Sequence, residues 1–134
     1  MTTYELICKY YDAFNRKDLP TFLALIDNDI IHDANQGERR VGKAHFSSFM
    51  EEGFKYYDEK IDDLVVFTSP GNPGRAATEF LVTGKYLKGS AGFPEAKGQV
   101  YRLPVGSFFE VRNGLVSRVS VYYNLADWIR QVSQ

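Results

Sequence analysis

The stretch QVYRLPVGSFFEVRNGLVSRVSVYYN, residues 99–124, predicts a β-hairpin. Its two halves, Gln99–Arg112 and Leu115–Asn124, are rich in Val, Phe and Tyr, which favour strands. Asn113 and Gly114 separate the halves, and this dipeptide is the one that two-residue hairpin turns prefer. The end of the chain therefore forms two long antiparallel strands.

Two further strands are expected before this hairpin, because Ile61–Thr68 and Arg75–Leu87 have a similar composition. The cluster Pro70–Gly74 makes the turn between them. Lys88–Gly98 is an eleven-residue connection with several small residues around Phe93 and Pro94. A mobile flap and an ordinary long hairpin loop are both consistent with it.

The first part of the chain is predicted to be helical. One amphipathic helix carries apolar residues at helical spacing, and Asp18 caps a shorter second helix. A short strand, Asp29–Asp33, then opens a loop, Ala34–Val41. A third helix follows, and Leu125–Val132 closes the chain as a short helix. The residues that define the apolar faces are Tyr4, Ile7, Tyr11 and Phe14 in the first helix and Phe46, Phe49, Met50, Phe54 and Tyr57 in the third.

Helices followed by strands indicate an α+β fold, in which the helices pack on one face of the sheet. We expect residues 1–134 to form a single domain, because this length is typical of one. Long strands twist strongly, and a twisted sheet curls around its helices. The expected structure is a cone: three helices on a strongly curved, mostly antiparallel sheet that encloses an apolar pocket. The aromatic content of 15% suits such a pocket.

Composition excludes several classes of function. The 16 basic and 17 acidic residues give a net charge of −1 without a basic cluster, so nucleic acid is not an expected partner. The two histidines, His32 and His45, stand thirteen apart with no cysteine near them, so no metal site is expected. A single cysteine, Cys8, favours a reducing compartment. Charged residues interrupt the apolar N-terminus, so we expect no membrane span and a cytoplasmic location.

Two side chains are candidates for acid–base chemistry. Asp33 ends a hydrophobic strand, where a pocket-facing carboxylate would be desolvated and its pKa raised. The alternative is a solvated loop residue or a cap. Tyr10 lies on the shoulder of the first helix, where its hydroxyl either donates to a developing oxyanion or reaches water while its ring packs. Both alternatives remain open for each residue.

The chain resembles the SnoaL-like and ketosteroid-isomerase-like proteins of the nuclear transport factor 2-like superfamily. The resemblance rests on KYYDAFNRKDL (residues 9–19), HDAN (32–35), Gly42 and LPVGSFFEVRNGLVSRVSVYYNLADW (103–128). In the steroid isomerases a strand aspartate moves a proton, while a helix tyrosine and a protonated aspartic acid hold the oxyanion.

The resemblance assigns roles to several residues of this chain. It places the tyrosine at Tyr10, the base at Asp33 when one residue is skipped, and the oxyanion acid at Gly106, which has no side chain to donate. We therefore expect an isomerase-like or cyclase-like acid–base enzyme acting on an apolar carbonyl compound, without a cofactor. Its pocket walls would be Phe14, Phe108 and Tyr123, with His32 assisting.

Two alternatives belong to other functional classes. The same pocket in a non-catalytic protein would bind or sense a small apolar ligand, a reading that Gly106 favours. An association domain would instead work through its sheet.

A homodimer is also expected. Along the last strand one set of side chains faces the pocket, so the other set is exposed and suits a two-fold contact. The pocket-facing set is Ser117, Val119, Val121 and Tyr123, and the exposed set is Arg118, Ser120, Tyr122 and Asn124.

Overall fold

A computed structural model describes residues 1–134 and shows four helices and six strands. The helices are α1 (Thr3–Asn15), α2 (Leu19–Ala24), α3 (Lys43–Tyr56) and α4 (Leu125–Val132). The strands are β1 (Ile26–Asp33), β2 (Arg39–Val41), β3 (Tyr57–Ser69), β4 (Asn72–Tyr86), β5 (Val100–Arg112) and β6 (Leu115–Tyr123).

The strands form one open sheet in the order β2-β1-β6-β5-β4-β3. All neighbours are antiparallel except β1 and β6, which run parallel. The predicted α+β class with a mostly antiparallel sheet is therefore confirmed. Two strands were only partly expected, since β1 begins earlier, at Ile26, and β2 forms within the anticipated loop.

Local sequence signals explain where the elements begin and turn. Thr2 and Glu5 form a capping box at the start of α1, and the Asp18 side chain accepts the backbone N–H of Thr21 in α2. Asn113 and Gly114 have φ values of 53° and 75°. These left-handed conformations are those of a two-residue hairpin turn, so the predicted hairpin is confirmed.

Alternation along the strands separates two faces of the sheet. The helices cover the inner face, and the outer face has no covering element. On β5 the inner-face residues are Tyr101, Leu103, Val105, Ser107 and Phe109, all buried, whereas Arg102, Pro104 and Phe108 are exposed. At one end of the inner face aromatic rings fill the space between helices and sheet; these are Tyr10, Tyr11, Phe22, Phe46, Phe80 and Phe109.

At the other end of the inner face, β6 ends opposite Val105, and α4 lies beside the part of β5 that β6 does not reach. The Gln131 side chain accepts the backbone N–H of Arg102 and donates to its carbonyl, at 2.9 and 3.0 Å, so it replaces a missing strand partner. Trp128 packs edge-on against Tyr86 and Tyr101, with ring centroids 4.9 and 6.0 Å away. This end of the inner face is therefore closed by a helix rather than by a strand.

The connection between β4 and β5 packs against α4. The Tyr86 hydroxyl donates to the carbonyl of Pro94 at 2.7 Å, and the Phe93 ring lies 6.0 Å from Trp128.

None of the four helices has the length and apolar character needed to cross a membrane.

Candidate active site

Asp33 lies on the outer face of the sheet. It pairs in register with Ser120, whereas the preceding His32 pairs with the fully buried Val119. Arg39 donates to both Asp33 carboxylate oxygens, at 2.8 and 2.9 Å. These hydrogen bonds hold the pKa of Asp33 below its usual range. The expectation of an inward-facing carboxylate with a raised pKa is wrong, because Asp33 occupies the outward position of the alternation.

His32 faces inward and is 3% exposed. Its ring packs edge-on against Phe46 and Phe49 of α3, with centroids 5.0 and 4.7 Å away, and its Nδ1 atom has no partner. Burial, together with the nearby charge of Arg40, lowers the pKa of His32 to about 4. The ring is therefore neutral at physiological pH.

Tyr10 lies in the filled end of the inner face. Its ring contacts Phe22 and Phe109 at 4.5 and 5.2 Å, and burial raises the pKa of its phenol well above the usual value. Its role as a hydrogen-bond donor stays a prediction. Tyr10 and Asp33, however, do not meet, because Tyr10 belongs to α1 on the inner side of the sheet and the Asp33 side chain lies on its outer face.

The three predicted pocket walls separate. Phe14 is partly buried and contacts Phe22 and Phe54, and Tyr123 is a partly buried inner-face residue. Phe108 is 49% exposed on the outer face, so its assignment as a pocket wall is wrong; its neighbour Phe109 faces inward.

Gly106 also belongs to the outer-face register. Its cross-strand partners are Glu79 and Tyr122, which are both exposed. A side chain at this position would point away from the interior, so its absence removes no inward donor.

An acid–base cluster that the sequence reasoning missed lies near the α4 end of the inner face. Glu59 of β3 accepts a hydrogen bond from the Tyr101 hydroxyl, with 2.5 Å between that oxygen and Oε2. Tyr57 and Tyr123 lie close enough that the charge of Glu59 raises the pKa of each phenol. Both in turn raise the pKa of Tyr101. We call Tyr57, Glu59, Tyr101 and Tyr123 the tyrosine–glutamate cluster. Its members come from three strands, β3, β5 and β6.

The electrostatics of this cluster differ from those of a surface carboxylate. Burial raises the pKa of Glu59, and the hydrogen bond from Tyr101 and the charge of Lys17 only partly oppose this. Burial also raises the pKa of Tyr57 to about 12 and that of Tyr123 above its usual value. The two phenols are therefore protonated at neutral pH and able to donate. Glu59, Tyr57 and Tyr123 each retain some exposed surface.

A sequence signal for Glu59 existed. Tyr57, Glu59 and Ile61 alternate with the charged Asp58 and Lys60, which is the period of a half-buried strand. The helical spacing instead assigns Tyr57 to the third helix and starts the strand only at Ile61. The assignment of Tyr57 to the helix is wrong, because α3 ends at Tyr56 and Tyr57 is the first residue of β3. In the structure Tyr57 pairs with Tyr86, so β3 starts four residues earlier.

The outer face carries a separate shallow cavity of about 430 Å³ between β3, β4 and β5. Asp63, Glu79, Leu81, Pro104 and Gly106 contribute to its lining. It contains none of the residues of the tyrosine–glutamate cluster.

Comparison with known proteins places this geometry in a family. Residues 7–119 match the SnoaL-like domain. Three solved structures, each described as a "putative polyketide cyclase", are similar over nearly the whole chain. The protein from Pseudomonas putida is 51% identical with a TM-score of 0.95, covering 98% of both chains. Those from Silicibacter and Xanthomonas campestris are 46% and 44% identical, with TM-scores of 0.94 and 0.92. They cover 98% and 97% of this chain and 95% and 96% of their own.

A more distant structure shows how widely the fold is used. An NTF2-like protein from Burkholderia xenovorans is 13% identical, with a TM-score of 0.77 over 98% of each chain. At this identity the likeness concerns the fold alone. No curated protein sequence matches the chain.

Proposed function

We propose, from the premise that the chain belongs to the family of SnoaL-like domains, that it is an acid–base enzyme of the isomerase or cyclase type. Its substrate would be an apolar carbonyl compound. The observation that carries this proposal is Glu59: a partly buried carboxyl group on the inner face, hydrogen-bonded by Tyr101, with its pKa raised by burial. Catalytic bases work best when their pKa approaches the operating pH.

The chemistry follows from the groups present. Ionised Glu59 accepts a proton from the carbon next to the substrate carbonyl, and the electrons of that C–H bond move into an enolate. Tyr57 and Tyr123 form no hydrogen bond that lowers the pKa of either phenol, so both hydroxyls are available to donate to the enolate oxygen. Glu59 then returns the proton to another carbon, which is an isomerisation. Alternatively, the enolate carbon attacks a second carbonyl carbon and closes a ring, the electrons of that C=O bond move onto its oxygen, and the resulting alkoxide takes the proton back from Glu59. Neither course requires a cofactor.

The surroundings favour an apolar substrate with rings or chains that pack on aromatic walls. Tyr57 and Tyr101 each pack edge-on against Trp128 at this end of the inner face, with ring centroids 6.1 and 6.0 Å away. The relatives described as polyketide cyclases point to carbonyl-rich chains, in which a C–H bond flanked by carbonyl groups is unusually acidic. The aromatic surroundings and the description of the relatives together support an apolar carbonyl compound as the substrate.

The test is proton exchange on a model ketone. Wild-type protein should catalyse deuterium incorporation at the α-carbon of 2-tetralone in D₂O, followed by NMR. Glu59→Gln should reduce the rate by about a hundredfold to ten-thousandfold, the usual contribution of a positioned base. The matched control is Glu79→Gln, the same change on the exposed outer face, which should leave the rate unchanged.

The same experiment separates the enzyme from a passive binding protein. If 2-tetralone or 2-naphthol raises the melting temperature while exchange in wild type equals that in Glu59→Gln, the protein binds without catalysis. The rate should also rise with pH through the pKa of Glu59, because the base acts in its ionised form. Since burial raises that pKa, the acid limb lies above the ordinary glutamate value.

We also propose a homodimer formed through the outer face. Phe108 and Tyr122 lie side by side there, with ring centroids 5.9 Å apart, and are 49% and 55% exposed. Phe67 and Val65 of β3 add exposed apolar surface on the same face. An exposed aromatic patch rimmed by charges is typical of a self-complementary contact.

A further inference from the structure

Gly84 of β4 lies between Glu59 and Tyr101. It pairs with Glu59 on one side and with Tyr101 on the other, so the three residues form one row across the inner face. A Cβ atom at Gly84 would lie 2.4 Å from both Cζ and the hydroxyl oxygen of Tyr101. The Tyr101 phenol therefore occupies the space that a side chain at position 84 would fill.

This gap determines how far Tyr101 reaches. Neighbouring strands are about 4.8 Å apart, so β5 and β3 are separated by roughly 10 Å across β4. The Tyr101 ring crosses the α-carbon of Gly84, and its hydroxyl ends 2.5 Å from Oε2 of Glu59. Any residue with a side chain at position 84 would block this path.

The hydrogen bond distinguishes the two carboxylate oxygens. Oε2 accepts from Tyr101, whereas Oε1 has no partner in the protein and is not among its buried unpartnered atoms. A base needs one oxygen free for the incoming proton and gains precision when the other is fixed.

We propose that Tyr101 and Gly84 are positioning residues of the Glu59 site: Gly84 leaves the space through which the Tyr101 hydroxyl holds Oε2, so that Oε1 faces the ligand. This inference rests on the proposed function of Glu59. Tyr101 acts through Glu59, and Gly84 acts through Tyr101.

The proposed contact between Tyr101 and Glu59 should affect the pKa of Glu59. The groups that act on this carboxyl are Lys17, from the connection between α1 and α2, and the phenols Tyr57, Tyr101 and Tyr123. The Tyr101 hydrogen bond stabilises the ionised form of Glu59 and so lowers its pKa. Removing that hydroxyl leaves burial less opposed, and the pKa of Glu59 rises further.

The experiment is a ¹³C NMR titration of side-chain-labelled glutamate, with the Glu59 signal assigned by its loss in Glu59→Gln. Tyr101→Phe and Gly84→Ala should both shift the Glu59 midpoint upwards. The double variant should shift it no further than the larger single change, because both break one contact. Exchange on 2-tetralone at neutral pH should fall by about tenfold to a hundredfold in each.

Two control variants match these substitutions. Gly53→Ala adds a methyl group where no atom lies within 4 Å, and Tyr4→Phe removes an exposed hydroxyl on α1. Neither should move the Glu59 titration. Tyr101→Phe adds no bulk, so it decides the question even if Gly84→Ala does not fold.

The outcomes separate the two proposals. A wild-type Glu59 that titrates at the ordinary glutamate value overturns the proposed function, whatever the variants do. A raised wild-type midpoint that Tyr101→Phe leaves unchanged overturns the positioning role alone. A shift in Tyr101→Phe with none in a folded Gly84→Ala overturns the part assigned to Gly84.

Discussion

The two faces of the sheet place carboxylates in opposite environments. On the outer face, Asp33 accepts two hydrogen bonds from Arg39, and its pKa lies below the usual range. On the inner face, Glu59 accepts one hydrogen bond from the neutral Tyr101, and burial raises its pKa. Both are acids on strands of one sheet. Their chemistry differs because one has a cationic partner and the other is enclosed by aromatic rings.

Adjacent residues of β1 show the same contrast over a single step. His32 is packed between aromatic rings of α3, whereas the Asp33 side chain retains 26% of its exposure beside Arg39. A shift of one residue along a strand exchanges these environments completely. The face of the strand therefore determines which group is neutral and buried and which is charged and solvated.

The largest effect on stability is expected at His32. Its pKa falls from 6.5 to about 4 on folding, so the unfolded chain binds a proton more readily between these pH values. Stability is then lost as pH falls from about 6.5 towards 4, by about 3 kcal/mol at roughly 1.4 kcal/mol per unit. His32→Leu removes this titrating group and puts an apolar side chain of similar size in its place.

Urea unfolding of wild type and His32→Leu between about pH 7.5 and pH 4.5 measures this difference. The free energy of unfolding of wild type should fall relative to the variant as the pH drops. Parallel curves would show that His32 is not shielded from solvent on the inner face, and the contrast with Asp33 would fail.

The next effect concerns the outer face. Phe108→Glu or Tyr122→Glu should weaken the proposed homodimer by at least about 2 kcal/mol, roughly 30-fold in its dissociation constant, because each buries a charge at the centre of the contact. Tyr4→Glu is the control, since Tyr4 is 54% exposed but lies on α1. Sedimentation equilibrium measures the dissociation constant. A monomeric wild type at micromolar concentration would contradict the dimer.

Much of the fold was predictable because its signals are local. The Asn113–Gly114 turn, the Asp18 cap and the composition of β4 to β6 each depend on residues close in sequence. The parallel pairing of β1 with β6 was not predictable in this way. It joins segments about ninety residues apart, and no turn residue records such a contact.

The site was harder to predict for a different reason. Which face Asp33 occupies depends on the register of β1 against β6, and the sequence of β1 alone is compatible with either face. The inward orientation of Glu59 depends on the pairing of Tyr57–Ile61 with β4, which the sequence of this segment does not record. The space at Gly84 has meaning only beside Tyr101, which is seventeen residues away in sequence but directly opposite in the sheet.

The two carboxylates should respond to pH with opposite signs. Because folding lowers the pKa of Asp33, its ionised carboxylate contributes to the free energy of unfolding above the unfolded value of 3.8, and this contribution is lost as the pH falls. Asp33→Asn should therefore destabilise the protein by up to about 1 kcal/mol at neutral pH. The raised pKa of Glu59 means that ionisation above 4.5 costs stability, so Glu59→Gln should stabilise the protein at neutral pH.

The Glu59 difference should vanish once the pH falls below 4.5, where its carboxyl is protonated in the folded and unfolded chains alike. The Asp33 difference should begin to shrink as the pH falls through 3.8 and disappear only below the lowered pKa of the folded state. Urea unfolding at neutral and acidic pH measures both variants against wild type. Changes of the same sign in Asp33→Asn and Glu59→Gln would remove the contrast between the faces.

The smallest effect is expected for Tyr10→Phe, and it tests whether the filled end of the inner face takes part in the chemistry. The Tyr10 hydroxyl has no hydrogen-bond partner that affects its pKa, so its removal should change the free energy of unfolding by no more than about 0.5 kcal/mol. Tyr11→Phe is the matched control. The Tyr11 hydroxyl is paired with Thr78 at 2.9 Å in the core, and its loss should cost about 1–2 kcal/mol.

Exchange on 2-tetralone should be unchanged in Tyr10→Phe, because Tyr10 packs on Phe109, eight residues or roughly 26 Å along β5 from Tyr101. A hundredfold loss of exchange in Tyr10→Phe, with none in Glu59→Gln, would instead locate the chemistry at the Tyr10 end of the inner face and support the oxyanion role that the resemblance implies for this residue.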